Sequence, residues 1–183
     1  FGSDGTGQGA NYQVFTRTVN AGVTWTPGNI SIGNSALLIS DIAAVSGTTA
    51  FITATPNSGG AGGGIWKTTD SGATWAKQAT ATYSVPTSFP NVVYFFDANT
   101  GFSMGDPDSA LVFELYTTTN AGTNWTKVPA ANIPSARANE FGYVHQRATV
   151  GNPNWFGTSI GNVYKSNDEG LNWTVPVTPV SVF

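Results

Sequence analysis

The chain of 183 residues contains no cysteine, which excludes a disulfide framework and any thiolate-held metal. Charge is scarce. Only 9% of residues are charged, against about 25% in an average soluble domain, and glycine, threonine, serine and asparagine supply the polarity instead. Seven Lys and Arg with a formal net charge of -3 do not make the concentrated basic face that nucleic acid requires. No apolar run approaches the ~20 residues of a membrane-spanning helix. Apolar residues nowhere recur at a 3.6-residue period, so helical solenoids are excluded as well. The opening FGSDGTG carries neither an initiator methionine nor a signal peptide, and the expectation is a processed piece or a portion of something longer. What remains is a composition suited to many short strands joined by turns.

One eight-residue frame occurs four times: TVNAGVTW at 18–25, TTDSGATW at 68–75, TTNAGTNW at 118–125 and SNDEGLNW at 166–173. Its fixed positions are Ser or Thr (Thr18, Thr68, Thr118, Ser166), Asn or Asp (Asn20, Asp70, Asn120, Asp168), Gly (Gly22, Gly72, Gly122, Gly170) and Trp (Trp25, Trp75, Trp125, Trp173). The spacing of 50, 50 and 48 residues between successive Asn or Asp positions marks a repeat protein. Asn or Asp in such a turn accepts backbone N–H groups two residues on. Gly supplies the left-handed conformation, and each Trp is expected to lie buried at the root of the hairpin.

Period-2 burial sets the flanks. Phe15-Thr16-Arg17-Thr18, Ile65-Trp66-Lys67-Thr68, Leu115-Tyr116-Thr117-Thr118 and Val163-Tyr164-Lys165-Ser166 align position for position as a third strand. A polar edge strand such as AKQAT or TKVPA follows each Trp. Earlier in each repeat stand two more strands: DIAAVSG and AFITATP, VVYFF (92–96, buried on both faces) and FSMG, then YVHQRATV and WFGTS. Four antiparallel strands per repeat of about 40 to 50 residues specify an all-β fold, a β-propeller with one blade per repeat. The expected blades are about 1–30, 37–80, 91–130 and 139–176, with a tail at 177–183, in a single propeller segment spanning 1–183.

The four frames resemble Asp-boxes, or bacterial neuraminidase repeats, which sit between the third and fourth strands of propeller blades. GGGIWKTTDSGATW, TGFSMGDP and NWFGTSIGNVYKSNDEGLNWTV further resemble secreted propellers of Bacteroidota related to the photosystem II stability-factor-like group. That resemblance implies secretion, often with a type IX secretion sorting domain beyond the propeller. Phe1 stands 19 residues before Asn20, as Phe51 does before Asp70. The register makes the first blade partial and the next three complete, and the expectation is a segment of a larger ring. Residues 175–183 either open a further blade or supply the missing inner strand of the first. The two prolines Pro176 and Pro179 favour the former, so further blades or other chains are expected to complete the ring.

Chemistry finds few candidates. A sialidase resemblance demands three arginines; the chain has only Arg17, Arg137 and Arg147, and no Arg-Ile-Pro motif. A glycoside hydrolase needs two carboxylates roughly 5 to 9.5 Å apart, for which Asp106 and Asp108, in a loop after a second strand, and Glu140 with His145 are the material. Asp-Pro-Asp is a common turn composition, and a lone His on a strand is commonly structural. No His and acid cluster has metal-ligand spacing. GGAGGG at 59–64 lacks the Lys and helix of a phosphate loop and is expected to be a flexible connection. Trp66, Tyr116 and Tyr164 recur regularly, as inter-blade packing would require. Sequons occur at Asn29, Asn124 and Asn172, and Asp108-Ser109-Ala110 matches a short O-glycosylation pattern at Ser109. The reading is a secreted or cell-surface propeller scaffold for protein or glycan, non-catalytic, with no cofactor, no metal, no nucleic acid and no membrane span. A glycoside hydrolase with part of its site elsewhere is the alternative.

Overall fold

The computed structural model describes residues 13–56, 62–84 and 88–176. It is all-β, with one turn of 3-10 helix at Ala130–Asn132. Strands β1 (Val14–Arg17) and β2 (Thr26–Asn29) form an antiparallel pair. The second sheet runs in chain order through β3 (Leu37–Ala44), β4 (Ala50–Pro56), β5 (Gly64–Thr68) and β6 (Ala76–Lys77). The third repeats that order with β7 (Pro90–Phe95), β8 (Gly101–Pro107), β9 (Phe113–Thr118) and β10 (Thr126–Lys127). In the fourth, β11 (Gly142–Thr149), β12 (Asn154–Thr158) and β13 (Val163–Ser166) stand beside a single bridge from Lys165 to Thr174.

Three complete four-stranded repeats were expected. Among the described residues two are complete, and in the fourth the outermost strand shrinks to that one bridge. The outer strands β6 and β10 are two residues long and exposed, which keeps the sheet edges too short to template pairing. The expectations for Phe1, residues 57–61 of the glycine-rich connection and residues 177–183 lie outside the described residues. VVYFF is only half as buried as its apolarity suggests. Val92 and Val93 are enclosed while Tyr94, Phe95 and Phe96 are partly open, because the innermost strand runs out of the packed zone.

The core is not one body but three seams between neighbouring sheets. One joins Phe15, Leu37, Ile52, Trp66 and Trp75. The next joins Phe51, Ile65, Val93, Tyr116 and Trp125, and the last joins Phe102, Leu115, Phe156, Tyr164 and Trp173. Trp66, Tyr116 and Tyr164 are all buried in these seams, in keeping with their regular recurrence. Each sheet has two faces to cover, and among the described residues the second and third bury one against their predecessor and one against their successor, as in radially repeated sheets.

Candidate functional site

The four repeat turns share one hydrogen-bond pattern. The Ser or Thr hydroxyl donates to Oδ1 of the Asn or Asp two residues on, at 2.9 Å for Thr18, 2.7 Å for Thr68, 3.0 Å for Thr118 and 2.8 Å for Ser166. The same hydroxyl accepts the glycine N–H at 2.9, 2.9, 3.0 and 2.9 Å. Oδ1 in turn accepts the N–H four residues on, at 2.9 Å from Thr24, Thr74, Asn124 and Asn172. This corrects the expected reach of two residues: the hydroxyl takes the near N–H, freeing the carboxylate or amide for the far one. Thr74 adds a hydroxyl bond to Asp70, and these bonds from Thr74 and Thr68 lower its carboxyl to about 2.

Glycine is not alone in the left-handed region. Ala21, Ser71, Ala121 and Glu169, each just before it, have φ between 54° and 64°. A side chain there costs roughly 1–2 kcal/mol, and at two sites the geometry brings an N–H onto the turn between first and second strands. Ser71 donates to Thr48 O and Ala121 to Asn99 O, both at 2.9 Å.

The expectation that all four tryptophans are buried is overturned at Trp25. Trp125 and Trp173 are enclosed, at 3% and 4% exposure, and Trp75 is partly covered, whereas Trp25 is 60% exposed. The cause is the neighbour. Phe51 meets Trp125 edge-on at 6.2 Å, and Phe102 lies 5.9 Å from Trp173. Phe15 meets Trp75 at 6.2 Å. Each aromatic also presses on the turn's glycine; a Cβ at Gly122 would stand 2.4 Å from Phe51, and at Gly72 2.3 Å from Phe15. Over Gly22 a Cβ would meet only Trp25 itself, at 3.9 Å.

Polar side chains gather along the innermost strands β3, β7 and β11. A register shift between Ile39 and Asp41 turns Ser40 and Asp41 onto the next sheet, where Ser40 donates to Pro90 O at 2.6 Å and Val93 N donates to Asp41 at 3.2 Å. Burial raises the Asp41 carboxyl, while bonds from Ile42 and Val93 and the charges of Arg147 and His145 oppose the shift. The Arg147 guanidinium covers the Tyr94 ring at 4.4 Å, and its Nε is buried without a partner. His145 is exposed on the same strand. The three arginines do not converge: Arg17 is on β1, Arg137 in the loop before β11 and Arg147 on β11.

The carboxylates weighed for hydrolysis are engaged elsewhere. Asp106 lies within β8 rather than in the loop expected after it. Its Oδ1 accepts from Asn91 at 2.6 Å and from Gly142 N at 3.0 Å. Burial pushes its carboxyl up to about 6 against those two bonds. It opens into a cleft with Phe89, Pro107, Asn139, Glu140 and Phe141. Glu140 is buried and accepts from Arg137 N, Thr158 Oγ1 and Asn162 Nδ2 at 2.8, 2.7 and 3.0 Å. Asp108 caps its own turn through Ala110 N and Val112 N, which leaves Ser109 exposed at the tip. Among the described residues no three His, Asp or Glu side chains gather to hold a metal.

Sequence reasoning missed Glu114, which is fully buried. It accepts from Ser84 N at 2.5 Å and Ser84 Oγ at 3.0 Å and pairs with Lys127. A lone Glu between Phe113 and Leu115, in the apolar half of its strand, was the available signal. Its partners come from the connection before the sheet and from the outer strand, which no spacing rule links.

No protein-family model matches the chain, and no curated protein matches it. Solved structures do. YCF48 bound to D1 peptide is 21% identical with a TM-score of 0.54, over 76% of this chain and 39% of that one. The GH74 xyloglucanase from Xanthomonas campestris is 16% identical with a TM-score of 0.57, over 81% and 24%. A Hadza microbial sialidase is 15% identical with a TM-score of 0.58, over 90% and 40%. The chain thus spans two fifths or less of each of these. At such identities the likeness concerns the fold alone, and with the repeated antiparallel sheets it establishes the chain as part of a β-propeller.

Proposed function

We propose that this chain is a non-catalytic propeller scaffold, secreted or displayed at a cell surface, that binds a protein or glycan partner along its innermost strands. The observation that carries the reading is the occupation of its deep carboxylates. Glu114 and Glu140 are saturated by structural bonds, Asp41 accepts from two backbone N–H groups, and Asp106 ties Asn91 to Gly142. Hydrolysis by paired carboxylates needs two that are free to act on one bond. The inner strands instead offer Tyr94, Arg147 and His145, an aromatic and cationic surface suited to stacking and to carboxylate recognition. The repeat turns act as Asp-boxes, structural rather than ligand-binding. Secretion by a type IX route and a Bacteroidota source, both implied by the resemblance, belong to this proposal, as does a ring completed by further blades or other chains. The YCF48 structure holds a peptide, which favours a protein partner.

The test is calorimetric binding to peptide and oligosaccharide panels, with Arg147→Ala expected to weaken the hit at least tenfold. Turnover of a fluorogenic sialoside or of xyloglucan should stay at background. A hydrolase is the second reading, favoured by the raised Asp106 carboxyl in its cleft. Turnover that vanishes in Asp106→Asn would establish it.

A further inference from the structure

The seam between the second and third sheets shows how a repeat turn is held. Phe51 and Lys67 stand directly opposite each other on β4 and β5, with the Lys67 ammonium 5.3 Å from the centre of the Phe51 ring. Lys67 Nζ donates to the carbonyl of Ala121 at 2.7 Å, while Phe51 covers Gly122 and meets Trp125 edge-on. Three features therefore define the joint on the receiving side: an aromatic, a lysine across from it, and the ammonium free to reach past the ring. On the turn's side they are a carbonyl, a glycine and a tryptophan.

Both halves occur again, unpaired, at opposite ends of the described fold. Trp155 and Lys165 are directly opposite on β12 and β13, in the register of Phe51 and Lys67. Lys165 Nζ lies 5.5 Å from the centre of the Trp155 ring. Both side chains are part-exposed, and among the described residues Lys165 Nζ finds no acceptor and no aromatic packs on Trp155. At the other end the turn of Ala21, Gly22 and Trp25 carries its own hydrogen bonds complete. Among the described residues nothing from another sheet covers Gly22, and Val19, Val23 and Trp25 are all exposed.

We propose that Trp155 and Lys165 form a socket for a repeat turn, filled in this chain by the Ala21–Gly22–Trp25 turn of a second copy. In the joint Trp155 covers Gly22 and meets Trp25 edge-on, and Lys165 donates to the Ala21 carbonyl. The contact is head-to-tail, and a two-fold rotation between the copies repeats it as a second, symmetry-related joint that closes the pair into one ring. The inference rests on the ring-completion part of the proposed scaffold and not on its ligand.

The test is sedimentation equilibrium of the 183-residue chain over a hundredfold range of concentration. Expected are a dimer for the parent and at least a tenfold weaker association for Trp155→Ala and for Trp25→Ala, both retaining the parent's circular dichroism. Mixing the two variants is the deciding measurement. One copy then keeps an intact Trp25 and the other an intact Trp155, so a single sound joint remains and a mixed dimer should return. A parent that stays monomeric throughout overturns the proposal, as does a dimer indifferent to both substitutions or a mixture that does not reassociate. A monomer that still binds its peptide or glycan would sink the joint and leave the scaffold reading standing.

Discussion

At the scale of single residues, the repeat turn divides its labour between a hydroxyl and a side-chain carbonyl. Thr118 is the pivot of the third turn, donating to Asn120 and accepting from Gly122, both at 3.0 Å and in a buried setting. Thr118→Val keeps the shape and strands the Gly122 N–H, at a cost of about 1–3 kcal/mol in denaturant unfolding. The tryptophans differ by neighbour rather than by motif. Trp125→Ala should cost about 3–5 kcal/mol, as large core truncations do, whereas Trp25→Ala in the monomer should stay within about 1 kcal/mol. Equal losses at the two sites would mean that Trp25 is covered in solution. Asp106 gives a pH signature. Its folded carboxyl titrates near 6, above the ordinary 3.8, so the folded state holds the proton more tightly. Stability is therefore present at low pH and is lost as pH rises from about 4 to 6. The lowered Asp70 acts in a separate window, below 3.8 and down to about 2, whereas Asp41, raised by burial, shifts stability in the same direction as Asp106. Melting curves at pH 4.5 and 7.5 should show the parent losing more than Asp106→Asn between them; parallel losses would assign the slope elsewhere.

At the scale of elements, strands and turns were legible because the sequence punctuates them strongly. Alternation in Ile65-Trp66-Lys67-Thr68 and its counterparts, closed by Asn or Asp and Gly, left one register for β5, β9 and β13. What escaped notice depends on contacts between segments with no fixed spacing. The Asp106 assignment failed because Pro107 suggests a turn, yet a register shift between Gly105 and Pro107 carries β8 through it. Glu114 escaped because its partners lie 30 residues back, at Ser84, and 13 ahead, at Lys127. It fastens a strand, a connection and an outer edge at once. Tyr116 adds a bond to Thr82 O, and Thr80 accepts from Trp125 N, so the connection is stitched to the sheet that follows it. Glu114→Ala removes the acceptor for Ser84 N and the partner of Lys127 together. A loss of about 3–5 kcal/mol is expected, in line with breaking a buried ion pair from one side. Glu114→Gln, which keeps an acceptor, should lose less; equal losses would show that charge alone matters.

At the scale of the whole molecule, a propeller segment behaves as a one-dimensional stack, each sheet held by its neighbours. Two seams flank the third sheet, and every residue of β9 is buried. The β1–β2 pair has its seam on one side only among the described residues, and its strands contain no buried residue. Local opening free energies should grade along the chain in that order, since exposed ladders with few apolar contacts open first. Amide hydrogen exchange measured on the monomer should therefore find β1 and β2 exchanging well before β8 and β9. The ranking is diagnostic because it depends on packing and not on hydrogen-bond number: β1 and β2 pair along their full four-residue length. Uniform protection from β1 to β9 would mean that the stack unfolds as one cooperative body. The same measurement across the dimerisation range separates the two supports of the first sheet. Filling the Trp155 socket adds a seam over Trp25, so protection of residues 18–29 should rise with protein concentration while that of β8 and β9 stays fixed.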